Sequence, residues 1–363
     1  MTTPRQKQPG SLPMSAFVAA SLAPVVLLVL GALAGPGWLI AALVYLTAFA
    51  ALLDRLLPRL TGNGDEAEFP AADVLLIALG LAHLALMPLA VWLVGGPSGL
   101  SAGQRIIAFL AFGLHFGQIS NPAAHELIHR GSRAMQALGT AVYITLMFGH
   151  HASAHRLVHH RHVATPDDPN TARRGESFYR FAPRAWIGSF RAGWRAERRT
   201  AGRLHPYATY LGGAAACLGL SVALAGPAGL AAYVALALYA TAQLLLSDYV
   251  QHYGLTRALR ADGRPEPVGH RHSWNAPQRF TAAMLLNAPR HSDHHAHPAR
   301  PYPALRLPPD APILPRSLPM MANIALVPPL WRRMMHPRLD RLAARSRQSD
   351  GPASGGAPSD LAV

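Results

Sequence analysis

Six stretches of this chain are too long and too apolar for an ordinary water-soluble core. Residues 14–34 (MSAFVAASLAPVVLLVLGALA) and 36–53 (PGWLIAALVYLTAFAALL) carry no charged side chain, and residues 74–95, 106–124, 207–226 and 228–247 have the same character. Each is close to the ~20 residues that cross a hydrocarbon core about 30 Å thick. The expected fold is therefore all-α: a polytopic membrane protein of six transmembrane helices with a cytoplasmic helical cap. The first run is longer than the apolar part of a signal peptide, and a second span follows at once. A shorter apolar stretch, 134–148 (AMQALGTAVYITLMF), is read as a helix lying at the membrane interface or dipping partway into the membrane.

Charge orients the spans. The linkers 33–37, 95–105 and 225–229 hold one basic residue between them, Arg105, whereas Arg5, Lys7, Arg55 and Arg59 flank the opposite ends of the first spans. The segment 125–206 and the C-terminal region are rich in arginine. Positive charge stays inside, so both termini and both long polar regions are expected in the cytoplasm. The expected organisation is a cytoplasmic N-terminus at 1–13, helices one to four at 14–124 and a cytoplasmic histidine-rich region with the interfacial helix at 125–206. Helices five and six follow at 207–250, then a second histidine-rich cap at 251–345 and a Gly/Pro/Ser-rich, disordered tail at 346–363. This arrangement accounts for the net charge of +15 without nucleic acid, for which no binding module is present. Cys217 is the single cysteine, so neither a disulfide within the chain nor a thiolate metal cluster is possible.

Sixteen of the 19 histidines fall between residues 125 and 297. His125 and His129 of "HELIHR" are four apart and share one helical face. The string also fits the HExxH pattern of zinc proteases, but it stands at a membrane boundary and further histidine clusters follow. In "HHASAHRLVHHRH" (150–162), His155 and His159 are four apart, with His160 beside them. In "HSDHH" (291–295), His291, His294 and His295 lie on one face, and His252 stands alone in "SDYVQHYGL" at the end of the sixth span. A basic surface patch does not explain helical-face spacing repeated beside membrane ends; metal binding does. Imidazole suits zinc, copper, iron and nickel. Eight or nine ligands are too many for one four-coordinate ion but suit two, and an all-nitrogen pair at a membrane surface suggests iron that activates dioxygen. His83, His115, His205 and His336 are read as structural or surface residues.

The motif order HELIHR, AHRLVHHRHVATPDDP, GESF, VQHYGL, HSWN and RHSDHHAHPARPY resembles the integral-membrane alkane hydroxylases, within the membrane fatty acid desaturase-like histidine-box superfamily. The likeness runs from about residue 120 to about 340 and includes "PPLWRRMM" at 328–335. It implies a di-iron site held by His125, His129, His155, His159, His160, His252, His291, His294 and His295. It also implies hydroxylation of the terminal methyl of n-alkanes with O2, in the bacterial inner membrane. Electrons would come from NAD(P)H through a rubredoxin reductase and a rubredoxin; this chain has no CxxC pair and no GxGxxG of its own.

Three departures stand out. Ala154 and Val158 replace the usual Glu and Gly of the second box, Asp248 and Gln251 replace Asn and Glu before His252, and Pro301-Tyr302-Pro303 replaces Arg-Tyr-Gln after the last box. None removes an expected ligand. Carboxylates that could orient ligating imidazoles are Glu126, Asp248 and Asp293, with Asp167 and Asp168 also in reach unless "TPDDPN" is simply a Pro-flanked turn. Two rival functions remain at this point. One is a related di-iron enzyme acting on fatty acids or aromatic methyl groups. The other is a divalent-metal transporter, although transporters place polar sites near the bilayer midplane rather than at helix ends.

Overall fold

The structure is a computed structural model that describes residues 12–60, 69–197 and 204–349. The described residues contain helices and no strand, only isolated bridges between Leu259 and Pro265 and between Asn275 and Ile313. Helix α1 is Met14–Leu33, α2 is Gly37–Leu56 with a π turn at Tyr45–Phe49, and α3 is Pro70–Gly95. Helix α4 covers 102–129 and passes through a π turn, Phe116–Ser120. It starts at a capping box, in which the Ser101 side chain accepts from Gln104 N and the Gln104 side chain accepts from Ser101 N. Then come α5 (Arg133–Thr145), α6 (151–162, with a π turn at His155–His159), α7 (Phe178–Glu197) and α8 (Pro206–His252). The C-terminal part adds α9 (Arg279–Met284), α10 (His291–Ala296), α11 (Leu318–Ala325) and α12 (Pro328–Ser349).

Four of these helices, α1, α2, α3 and α8, are long and apolar enough to cross a membrane. Their outward side chains, among them Val26, Ile40, Leu52, Val74, Leu81 and Leu220, are exposed. Such a surface is costly in water and favourable in lipid. Helix α4 is less apolar because His115, Gln118 and Asn121 interrupt it. As one straight helix, the 47 residues of α8 would reach about 70 Å, more than twice a hydrocarbon core. The helix is broken instead. Ala225 and Gly226 leave helical geometry, and Gly226 takes φ 60°, where a Cβ is disfavoured. Pro227, with no amide hydrogen to offer, opens the second half. The break falls within the stretch expected as a linker.

Helix α3 packs on α8 and α4, α1 lies against α2 and α3, and α5 sits beneath α4. Gly139 permits that last approach: a Cβ there would lie 2.8 Å from the Ala124 carbonyl oxygen. Helix α7 buries Phe178, Phe181, Ala185, Ser189 and Gly193 against α6 and α8. These contacts bring the ends of α4 and α8 together with α6 and α10. At the C-terminus α12 continues to Ser349, so residues 346–349 are helical where disorder was expected; the sequence RLAARSRQ contains mostly good helix formers. The rest of that tail, and residues 1–11, lie outside the described residues.

Candidate metal centre

All nine expected histidines converge, and they divide into two groups. His125, His129, His155, His160 and His294 form one; His159, His252, His291 and His295 form the other. Within each group the ligand nitrogens lie within 4.8 Å of one another.

Helix α4 presents His125 and His129 on one face, as their spacing predicts. The second box behaves differently from its spacing. An α-helix would stack His155 over His159, but the turn His155–His159 is a π turn, which widens the repeat. His155 therefore meets His160, Nε2 to Nε2 at 2.9 Å, and His159 turns to the other group. The third box is also split. His291, His294 and His295 were expected to act from one face, yet α10 lies between the groups and gives His294 to the first and His291 and His295 to the second. His252 ends α8 with its Nε2 2.9 Å from His291 Nε2.

These contacts are not an ordinary hydrogen-bond network. His160 Nε2 lies 2.9 Å from His155 Nε2, 3.2 Å from His129 Nε2 and 3.2 Å from His294 Nε2. A ring nitrogen carries one proton or one lone pair, so it cannot serve three such partners. A shared cation can: with metal–nitrogen bonds of about 2.1 Å, donors at right angles stand about 3.0 Å apart. His159 gives a second sign. Its Nδ1 donates to Asp168 Oδ2 at 2.8 Å, while its Nε2 is buried without a hydrogen-bond partner among the described residues. Burial, reinforced by repulsion from neighbouring imidazoles, holds His155, His160, His291, His294 and His295 well below the usual histidine range. They are neutral, the form in which imidazole binds metal. The residues present thus fit metal ions with all-nitrogen ligation.

The surrounding carboxylates differ in what they touch. Burial pushes the Asp168 carboxyl up, but the charge and hydrogen bond of His159 outweigh this and leave it below its ordinary value. Burial lowers His159, and the Asp168 charge overcomes that and raises it. Asp168 also accepts from the Thr171 hydroxyl at 2.7 Å and, through Oδ1, from Asn170 N at 3.0 Å, so "TPDDPN" is both a turn and an imidazole anchor. Asp167 stays on the outside of that turn, with its amide on Thr165 Oγ1. Asp248 accepts from Asn170 Nδ2 at 2.6 Å and supports Asp168 from behind. Glu126 pairs with Arg130 at 3.4 Å and stands 3.8 Å from His125 Nδ1, beyond hydrogen-bond length. Asp293 touches none of the nine imidazoles, because it leaves α10 on the opposite side and meets Arg300, the Arg306 amide and His297.

The HSWN stretch, to which the sequence assigns no role, ties the groups together. Asn275 Oδ1 accepts from Ser292 N and Oγ at 3.0 and 2.9 Å, fixing the start of α10. Ser273 Oγ lies 3.5 Å from His252 Nδ1, and Trp274 Nε1 donates to the Tyr253 carbonyl at 2.9 Å. Gln251 donates to the Ala288 carbonyl at 3.1 Å, a bond that glutamate could not make. The non-glycine residues of the described chain with positive φ, Met147, Ala164, Leu286 and Asn287, all flank histidine boxes, so the backbone here is held in strained turns. His83 and His205 stay outside the centre, bonded to Thr145 and stacked on Trp194 respectively. His115 is buried in α4, and His336 bonds the Tyr253 hydroxyl.

The sequence profile of the fatty acid desaturase family matches residues 101–320, which include all nine histidines. Alkane 1-monooxygenase 1 of Pseudomonas aeruginosa is 32% identical over 87% of this chain and 88% of its own length. Alkane 1-monooxygenase 2 of the same organism is 31% identical over 83% of this chain and 84% of its own. The xylene/toluene monooxygenase hydroxylase component of Pseudomonas putida is 29% identical over 58% of each.

Proposed function

Because the chain belongs to the alkane 1-monooxygenases of the fatty acid desaturase family, we propose that it hydroxylates the terminal methyl of n-alkanes at a di-iron centre. The observation that carries this reading is the division of nine imidazoles into a group of five and a group of four. His125, His129, His155, His160 and His294 would hold one iron, and His159, His252, His291 and His295 the other. Bound there, the irons would supply the reduction of O2, with one oxygen atom inserted into the C–H bond and the other released as water. The residues supply position. Asp168 fixes His159 with its Nε2 toward the centre, Asn275 fixes α10, and burial disfavours protonation of His291, His294 and His295.

Six spans follow if α4 crosses the bilayer and α8 crosses it twice through the break at Gly226. The histidine groups then lie at the cytoplasmic ends of α4 and α8, in the bacterial inner membrane, with both termini on the same side. An alkane offers no polar handle and partitions into the bilayer, so it reaches the centre from the apolar side. Electrons arrive from the cytoplasm through a separate rubredoxin and its NAD(P)H-dependent reductase. Aromatic methyl oxidation is the weaker reading, since the xylene/toluene relative matches 58% of the chain against 87% for the first alkane relative. A metal transporter is weaker still: these donors meet at helix ends rather than midway along the spans.

The test is product analysis by gas chromatography. Cells carrying the protein with a rubredoxin and its reductase are fed mixed n-alkanes, xylene and a fatty acid. Terminal alcohols from the alkanes are expected. Oxidised xylene or fatty acid with untouched alkanes moves the chain to the sibling activity, and purified protein without iron overturns the reading.

A further inference from the structure

A third set of donors lies outside the nine-histidine centre, on the far side of α10. His270, Asp293 and His297 bring ligand atoms within 4.8 Å of one another. Asp293 is 1% exposed, and its carboxylate is clamped by Arg300 Nη1, 2.6 Å from each oxygen, and by the Arg306 amide at 2.7 Å. His297 Nδ1 lies 3.1 Å and His270 Nε2 3.6 Å from the same Oδ1. His270 Nε2 is buried and has no hydrogen-bond partner among the described residues.

We propose that His270 Nε2, Asp293 Oδ1 and His297 Nδ1 form a third cation site, selective for a borderline divalent transition ion such as zinc or cobalt. Two imidazoles and one carboxylate are a common ligand set for such ions, with water completing the shell. The ion takes the place of the proton between His297 Nδ1 and Asp293 Oδ1, the neutral ring then carrying its proton on Nε2, and Arg300 keeps its contacts to the carboxylate. The anchor is rigid and the rings are adjustable: the His270 and His297 side chains are 33% and 48% exposed, so small rotations close them on an ion. Arg300 already balances the carboxylate charge, so the two nitrogens provide the affinity, and hard ions such as magnesium and calcium bind poorly. An ion here would clip the segments bearing His270 and His297 to the back of α10, the helix that presents His291, His294 and His295.

The experiment uses full-length, iron-loaded protein, free of any affinity tag, dialysed against cobalt(II) with excess magnesium. Iron and cobalt are counted separately by mass spectrometry. The expected result is about one cobalt per chain beyond that bound by the His270→Ala/His297→Ala variant, with equal iron in both. Both replaced side chains are partly exposed, and the iron count reports whether the variant keeps its fold. Equal cobalt in the two proteins overturns the proposal. So does cobalt uptake matched by iron loss, which would place the cobalt in the nine-histidine centre, or displacement of the cobalt by magnesium.

Discussion

The Asp168 carboxylate divides its oxygens between a turn and an imidazole. Oδ1 closes the turn onto Asn170, and Oδ2 accepts from His159 Nδ1 and from the Thr171 hydroxyl. A neutral amide at this position keeps the shape but loses the anion that fixes the ring. Asp168→Asn is therefore expected to weaken metal retention by about 10–100-fold, the usual effect of removing a partner behind a metal-bound histidine. Iron content after dialysis against a graded chelator checks this, and the loss should fall on the four-histidine group. Retention equal to the unaltered protein would show that Asp168 serves the turn alone. From the sequence the two roles could not be separated, because a Pro-flanked Asp-Asp pair reads as a turn and says nothing of what its second oxygen meets. Asp293 shows the opposite case. Its place between His291 and His294 left two readings, support for the ligands or, since its helical direction differs from theirs, a side chain facing solvent; its carboxylate is buried and meets Arg300.

The π turn in α6 decides which imidazole serves which group. It pairs His155 with His160 and releases His159 to the buried set of four. The two substitutions should then differ. His159→Ala reduces the smaller group to three protein ligands, and that ion is expected to be lost, leaving iron near half its original content. His160→Ala leaves the larger group with four, and most iron is expected to stay. Hydroxylation falls in both, because productive geometry tolerates displacements of only about 0.5 Å. Iron analysis of the two purified variants separates them; equal iron loss would reverse the assignment of the ligands to the groups. Eight of the nine residues were legible in the sequence as clustered imidazoles at helical spacing beside apolar runs, whereas His252 stands alone there and enters the set through the resemblance. Their division was not legible, because it depends on a single wide turn and on where α10 lies relative to α6. Neither leaves a spacing pattern in the boxes. The apolar runs likewise announced long helices, whereas Asn275 looked like any loop residue until its side chain was seen on Ser292.

Across the whole molecule, the loop that carries Asp168 must be held onto α8, and Glu176 is central to that attachment. Its carboxylate accepts from Arg184 Nε and Nη2, both at 2.8 Å, and from Arg173 N at 3.0 Å. Its carbonyl accepts from the Tyr249 hydroxyl of α8 at 2.6 Å. Arg184 in turn donates to the carbonyls of Pro169 and Thr171, on either side of the Asp168 turn's end. The "GESF" motif thus links α7, α8 and the loop behind His159. Glu176→Gln keeps an acceptor but places an amide against the guanidinium, and a loss of about 1.5–3 kcal/mol is expected, as for other hydrogen bonds to charged groups. The pH dependence has a definite sign. Burial alone would raise the Glu176 carboxyl, but the Arg184 bonds outweigh it and hold the group below its ordinary value. Its contribution is therefore complete above the usual glutamate value of about 4.3 and lost as the pH falls through the lower folded value. Thermal unfolding in detergent, at neutral pH and in an acid series, should show the unaltered protein more stable at neutral pH, with the gap closing only below about pH 4. A gap that persists unchanged in acid would mean that the amide fails by its shape rather than its charge, and no gap at neutral pH would release Glu176 from this role. The same variant should also lose iron faster to a chelator, since the Asp168 turn loosens with the Arg184 clamp. That coupling would mark the histidine centre as a property of the assembled helices and not of the boxes alone.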